Sequence, residues 1–244
     1  MRRIASLAAC AAALAWATSG CGGLDLDAKE VHAARSFPMS GTSLRIVSSL
    51  GGVRVLAGTG STVEVERWTR GKAADDGNAT WSLRDGTLRL SADCNMVFGD
   101  CGARYHITVP PGLRLTIDAA DGVILKDLQQ DVDVVGQDRI QVSGTSGKLR
   151  LRSEGPITGD GLRSANVRCR TLDGEIDLSF AGAPTNLDLE SSDGRVTATV
   201  PQGSYAVTAK STDGSERSEI ANDPQATSKI VARSTSGNVR ILAR

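Results

Sequence analysis

A chain of 244 residues can form one large domain or two small ones and is long enough to bury a core of its own. Lys plus Arg and Asp plus Glu number 28 each, so no net field gathers nucleic acid, and the longest basic run is Arg2-Arg3. Aromatic residues are only 3% of the chain against 27 glycines, which suits many short strands and tight turns and excludes a bulky aromatic core.

Met1-Arg2-Arg3 followed by the apolar run Ile4 to Ala17 has the form of a signal peptide over residues 1–20, too short to span a bilayer as a mature helix. Its end, Thr18-Ser19-Gly20-Cys21, resembles the lipobox of bacterial lipoproteins, although Thr18 stands where that family carries an aliphatic residue. The resemblance implies that Cys21 is lipidated and anchors the chain to a membrane on its extracytoplasmic side. Residues 21–40 read as a flexible tether, with one helical turn in Ala28 to Arg35.

Residues 41–244 read as a single β-repeat domain. Leu44 and Ile46 open the first strand, Ser48-Ser49-Leu50-Gly51-Gly52 turns it, and Val53 and Val55 continue. Ser61 to Trp68 and a hairpin about Asp85-Gly86 depart from the later spacing, so 41–110 is expected to be an irregular β cap. Within it Cys94 and Cys101 lie seven residues apart and suit a disulfide, stabilising by about 2–3 kcal/mol in an oxidising compartment. The rival reading is half of a four-ligand metal site, for which only Cys169, His32 and His106 remain, each distant in sequence.

From residue 111 a dyad, apolar-x-apolar, recurs with first members at 115, 132, 149, 167, 187, 207 and 230, in steps of 17, 17, 18, 20, 20 and 23 residues. In the last four a Gly follows seven residues after the first member: Gly174, Gly194, Gly214 and Gly237. A step that short holds two strands and two turns, which predicts an all-β solenoid or two-sheet roll of stacked rungs, each about 17–20 residues. Period-2 alternation points the dyads inward and Arg150, Arg152, Arg168, Arg170, Asp188 and Glu190 outward. Second inward pairs follow the turns, such as Ile176 with Leu178. After Gly214 no apolar pair appears, so 215–228 is expected to be a polar excursion.

With the rungs in register, Asp173, Asp193 and Asp213 would form a carboxylate column that Ca²⁺ could use, but Asp-Gly is also the commonest tight-turn pair, so no metal or other cofactor is expected. No nucleophile elbow, zinc helix or phosphate loop occurs, and no catalytic residue is assigned. Trp68 and Trp81 are the tryptophans outside the leader and form a candidate ligand patch, with core filling as the plainer reading.

The Ser/Thr-Ser/Thr-Asp/Ser-Gly turns, their flanking dyads, and the Val109-Pro110-Pro111-Gly112 and Val200-Pro201-Gln202-Gly203 corners resemble the bacterial putative-adhesin family of β-strand-repeat domains of unknown function. That resemblance implies a β-solenoid or roll at the cell surface. The reading is a membrane-anchored, non-catalytic binding or scaffold module for an envelope polysaccharide or protein. The alternative is an exported β-helix glycosidase or lyase working through clustered carboxylates.

Overall fold

The computed structural model describes residues 29–95 and 100–244. The expected signal peptide, Cys21 and the first part of the tether lie outside the described residues. The strands, in chain order, are β1 (Val31–Pro38), β2 (Ser43–Ser48), β3 (Gly52–Ala57), β4 (Thr62–Gly71), β5 (Ala79–Arg84), β6 (Thr87–Ala92) and β7 (Cys101–Val109). The repeat continues through β8 (Arg114–Ala119), β9 (Val123–Lys126), β10 (Val132–Gly136), β11 (Ile140–Ser143), β12 (Leu149–Ser153), β13 (Ile157–Leu162), β14 (Asn166–Thr171) and β15 (Ile176–Phe180). It closes with β16 (Asn186–Ser191), β17 (Val196–Val200), β18 (Ala206–Ser211), β19 (Glu216–Ser218), β20 (Lys229–Ser234) and β21 (Val239–Ala243).

Two sheets face each other across one core, an eleven-stranded sheet ordered β1-β4-β7-β3-β9-β11-β13-β15-β17-β21-β19 and a ten-stranded sheet ordered β18-β20-β16-β14-β12-β10-β8-β2-β6-β5. Each rung gives one strand to each sheet, as a solenoid-like roll requires. The dyads pair in register: Val132 with Leu115 and Leu149, Leu149 with Val167, and Val167 with Leu187. These residues are buried, as are the second inward pairs Ile140 with Val142 and Ile176 with Leu178. Parallel strands buried on their inner face and joined by short corners are what the repeated pattern demands.

The corners carry a second pattern. A hydroxyl residue two places after the inner dyad, Thr171, Ser191, Ser211 or Ser234, precedes the corner Gly by three. Ser191 Oγ donates to Gly174 O at 2.9 Å in the neighbouring rung and accepts from Gly194 N at 2.9 Å in its own. Ser234 repeats this with Gly194 O at 2.8 Å and Gly237 N at 2.9 Å, and Ser211 with Gly237 O and Gly214 N, both at 2.8 Å. The result is a hydroxyl ladder that bridges corner to corner. Its glycines are needed for close approach, because a Cβ on Gly194 would lie 1.9 Å from Gly174 O and one on Gly237 would lie 2.3 Å from Gly194 O. A backbone turn with φ > 0 at Asp-Gly occurs not at these corners but at the β5–β6 hairpin, where Asp85 and Gly86 have φ of 48° and 69°.

Chain order and spatial order part at both ends. Rung β6–β7 lies outside rung β2–β3, which sits beside β8–β9 in register, Leu44 with Leu115 and Val53 with Val123. Within 41–110, β2–β3 is an ordinary rung, as the seven-residue offset from Leu44 to Gly51 implies, and β4 and β5, with β1, supply the antiparallel cap. β1 also replaces much of the expected tether and its helical turn, because alternation lets Phe37 bury while its neighbours face out along β4. At the other end β20–β21 enters between β16–β17 and β18–β19, leaving β18 and β19 at the sheet edges. The expected polar excursion contains β19, a three-residue exposed edge strand. Backbone N–H groups on β18 are capped by side chains, Val207 N by Asn222 Oδ1 at 2.9 Å and Ser211 N by Glu216 Oε1 at 2.7 Å, which blunts the edge against further strand pairing.

Cys94 and Cys101 form a disulfide with Cα atoms 5.6 Å apart, tying the segment after β6 to the start of β7. Among the described residues no helix is long and apolar enough to cross a membrane.

The corner geometry predicts a sharp contrast in urea unfolding. Gly194→Ala should destabilise by about 1–3 kcal/mol through overpacking, and Ser191→Ala by about 1–3 kcal/mol through lost and unsatisfied hydrogen bonds. Gly60→Ala, with nothing within 4 Å of its Cβ position, should leave the midpoint in place. Equal effects at Gly60 and Gly194 would contradict the stacked corner.

Candidate functional site

On the ten-stranded sheet the outward residues form charged columns fixed by strand register. Asp133 meets Arg150 at 3.5 Å and Arg152 at 3.2 Å; Asp188 meets Arg168 at 2.9 Å, Arg170 at 3.4 Å and Arg233 at 3.6 Å; Glu190 also meets Arg170. Exposed pairs of this kind contribute little individually to stability. Their effect is to leave the arginines of β12, β14 and β20 already partnered.

The eleven-stranded sheet differs. In register across β1, β4, β7 and β3 run His32, Trp68, Arg104 and Gly52, with Gly122 just before β9 and with His106 and Arg54 paired two residues along the strands. Two glycines side by side leave an open trough of about 460 Å³, walled by Arg54, Arg104, His106, Asp138, Arg139 and Gln141 with Ile124 at its base. Trp68 supports one wall: His32 stacks on it with centroids 4.6 Å apart, His106 meets it edge-on at 4.5 Å, and the Arg104 guanidinium lies 4.9 Å over its ring. Glu30 accepts from Arg104 at 2.7 Å. Arg54 and Arg139 have no carboxylate within 4 Å among the described residues.

The electrostatics agree with the geometry. Burial, then the Arg54 charge, with a smaller push from Arg104, holds His106 below the ordinary histidine range, against the opposing pull of Glu66. His106 therefore keeps a neutral imidazole down to lower pH than a free histidine does. A second hollow, also about 460 Å³, shares Ile124 and Gln141 with the trough and is lined by Ser143, Thr158, Asp160 and Asp177 beside the β13 bulge at Gly159.

Of the residues singled out from sequence, Trp68 is at this site and Trp81 is not. Trp81 packs against the core at the capped end, with Arg67 4.4 Å over its ring, so the two tryptophans do not form one patch. The acids Asp173 and Asp193 are neighbours, but Asp213 is separated from them by the intercalated last rung: Ser236 Oγ donates to Asp193 at 3.0 Å in its place. Among the described residues no three His, Cys, Asp or Glu side chains converge as metal ligands. Cys169 is fully buried in its dyad, and burial pushes its thiol well up, away from reactivity. The basic residues of the trough were missed, although one signal was present: Gly52 and Gly122 stand immediately before the inward valines Val53 and Val123, where later rungs place Arg139, Glu175 and Arg195.

Residues 42–243 match the family described as Toastrack DUF4097. No curated protein matches the chain. Among solved structures, a putative adhesin from Bacteroides fragilis is 13% identical over 87% of this chain and 97% of its own, with a TM-score of 0.47. A putative cell adhesion protein from Clostridium sporogenes is 12% identical, with 89% and 100% covered and a TM-score of 0.40. A putative lipid binding protein from Parabacteroides distasonis is 10% identical, with 86% and 96% covered and a TM-score of 0.45.

The trough's field predicts a direction for one titration. In proton NMR, His106 should titrate below the usual histidine range, and Arg54→Gln should raise its midpoint by removing a repelling charge. An unchanged midpoint in the variant would mean that Arg54 does not face the imidazole.

Proposed function

The chain belongs to the Toastrack DUF4097 family, and from that premise we propose that it is a non-catalytic binding module held at the outer side of a bacterial membrane, with Cys21 as the anchor after removal of residues 1–20. The observation that supports this most is the contrast between the two sheets. On one face Arg150, Arg152, Arg168 and Arg170 are partnered by carboxylates along the central rungs, whereas the other holds an open trough whose guanidiniums include two without a carboxylate partner among the described residues. A stack in register is rigid enough to present such a trough without reorganising on binding.

Several carboxylates of the repeat are engaged by arginines, as Asp133, Asp188 and Glu175 are, the last by Arg195 at 2.6 Å, and none of these is left free as an acid–base group. The ligand class in this reading is a component of the cell envelope or of a surface the cell meets, polysaccharide or protein.

Retention of the full chain on immobilised envelope polysaccharide, peptidoglycan and extracellular matrix tests the proposal. Retention on at least one, competed by the same material in solution and without its turnover, is expected. Passage through all three, or release of reducing ends from any of them, would overturn it.

A further inference from the structure

We infer that the trough over Gly52 and Gly122 is a binding site for an acidic saccharide, whose oxyanion is held by Arg54, Arg104 and Arg139 and whose hydroxyl groups reach the adjoining hollow at Thr158, Asp160 and Asp177. The inference rests on the binding-module reading and adds the place and the ligand class.

The first argument is the space. The corner glycines at 174, 194 and 237 are forced by backbone contact, but Gly52 and Gly122 are not: an added Cβ would meet nothing closer than 3.5 Å at either, and neither has a positive φ. Side chains would fit here and would fill the trough. Glycine at both neighbouring positions keeps open a volume of about 460 Å³, within the range of small-ligand sites at ~300–1,000 Å³.

The second argument is charge. Three guanidiniums line the trough against one carboxylate, that of Asp138. Arg54 and Arg139 are not neutralised by a neighbouring acid among the described residues, and Arg104 is held in position by Trp68 and Glu30. Burial chiefly lowers the His106 titration, and Arg54 and, less strongly, Arg104 add to it. Guanidiniums in this arrangement suit carboxylate or phosphate oxygens, which accept their charge-assisted hydrogen bonds.

The third argument limits the ligand. Trp68 has His32 on one side and Arg104 over its ring, so its faces serve the wall and do not form a platform for a sugar ring. The adjoining hollow carries Asp160 and Asp177, which repel a continuous polyanion and accept hydrogen bonds from hydroxyls. An anionic group followed by neutral, hydroxyl-rich units fits both hollows; a nucleic acid strand does not.

Binding is measured by ¹⁵N NMR titration of the full chain with three probes. They are a tetrasaccharide alternating glucuronate and N-acetylglucosamine, a singly phosphorylated cellotetraose, and neutral cellotetraose. Either acidic probe, or both, should shift the Gly52 and Gly122 amides, and which one does identifies carboxylate or phosphate as the source. The double variant Arg54→Glu/Arg139→Glu should weaken binding about tenfold or more, as expected for two lost charge-assisted hydrogen bonds. Gly122→Leu, which fills the trough and keeps its three arginines, should do the same, while Arg150→Glu/Arg168→Glu on the opposite sheet should leave binding unchanged. Unfolding midpoints of the variants check that each is folded.

Equal binding of neutral cellotetraose, equal weakening by the opposite-sheet variant, or no shift with either acidic probe would overturn the site. The two readings fail separately. Envelope retention that survives Arg54→Glu/Arg139→Glu unchanged would remove this site and keep the binding module. Tetrasaccharide binding at Gly52 and Gly122 by a chain that no envelope material retains would keep the site and remove the surface-module reading.

Discussion

The contact on which this structure depends is the approach of one corner glycine to the next. Successive strands in a sheet lie about 4.8 Å apart, and at that spacing a Cβ on the corner would occupy the carbonyl of the rung below. With glycine there, the hydroxyl three residues earlier can reach the neighbouring corner's carbonyl while accepting from its own rung's amide, as Ser191 does between Gly174 and Gly194. Each hydrogen bond stabilises by only about 1 kcal/mol, but the same pair recurs at successive corners and permits a single register. That register aligns the inward dyads into a continuous core and, with equal necessity, aligns the outward residues into columns.

Such a stack has two ends, and each would expose apolar side chains and unpaired strand edges if the chain simply stopped. Here the antiparallel strands β1, β4 and β5 close one end, and at the other the last rung turns back into the stack, placing Ile230 and Ile241 in the interior. The outermost rung, β18–β19, is the polar one. Its inward column ends in Glu216 and Ser218, which water can solvate, paired to Val239 and Ile241. A polar last layer over an apolar one is the arrangement that keeps repeat proteins soluble.

Much of this was legible in the sequence, because dyad spacing and burial are both periodic: Leu149, Leu151, Val167, Cys169, Leu187 and Leu189 are all buried at the positions their alternation assigns. The order of the rungs was not legible. Ile230 with Ala232 presents the same pattern as Val207 with Ala209, so either could lie against Leu187 and Leu189, and only the polar sequence after Gly214 argues for placing β18–β19 outside. β1 was hidden because Val31 to Pro38 alternates a partly buried face against charged and polar residues and pairs with a strand 24 to 38 positions away. The trough was hidden for a related reason: residues near 53, 105, 122 and 139 meet only because β3 lies between β7 and β9. Trp68 was visible as a residue, yet its role comes from His32, Arg104 and His106, which sequence distance keeps apart.

End closure and the alignment of both faces at the later rungs follow from the placement of β20–β21 inside the stack. Hydrogen–deuterium exchange read by mass spectrometry measures it directly. Peptides covering 229–243 should be protected as strongly as those covering 186–200, while 206–218 exchanges first among the later rungs. Exchange that rises steadily toward the C-terminus, with 239–243 fastest, would show a stack built in simple chain order and contradict it.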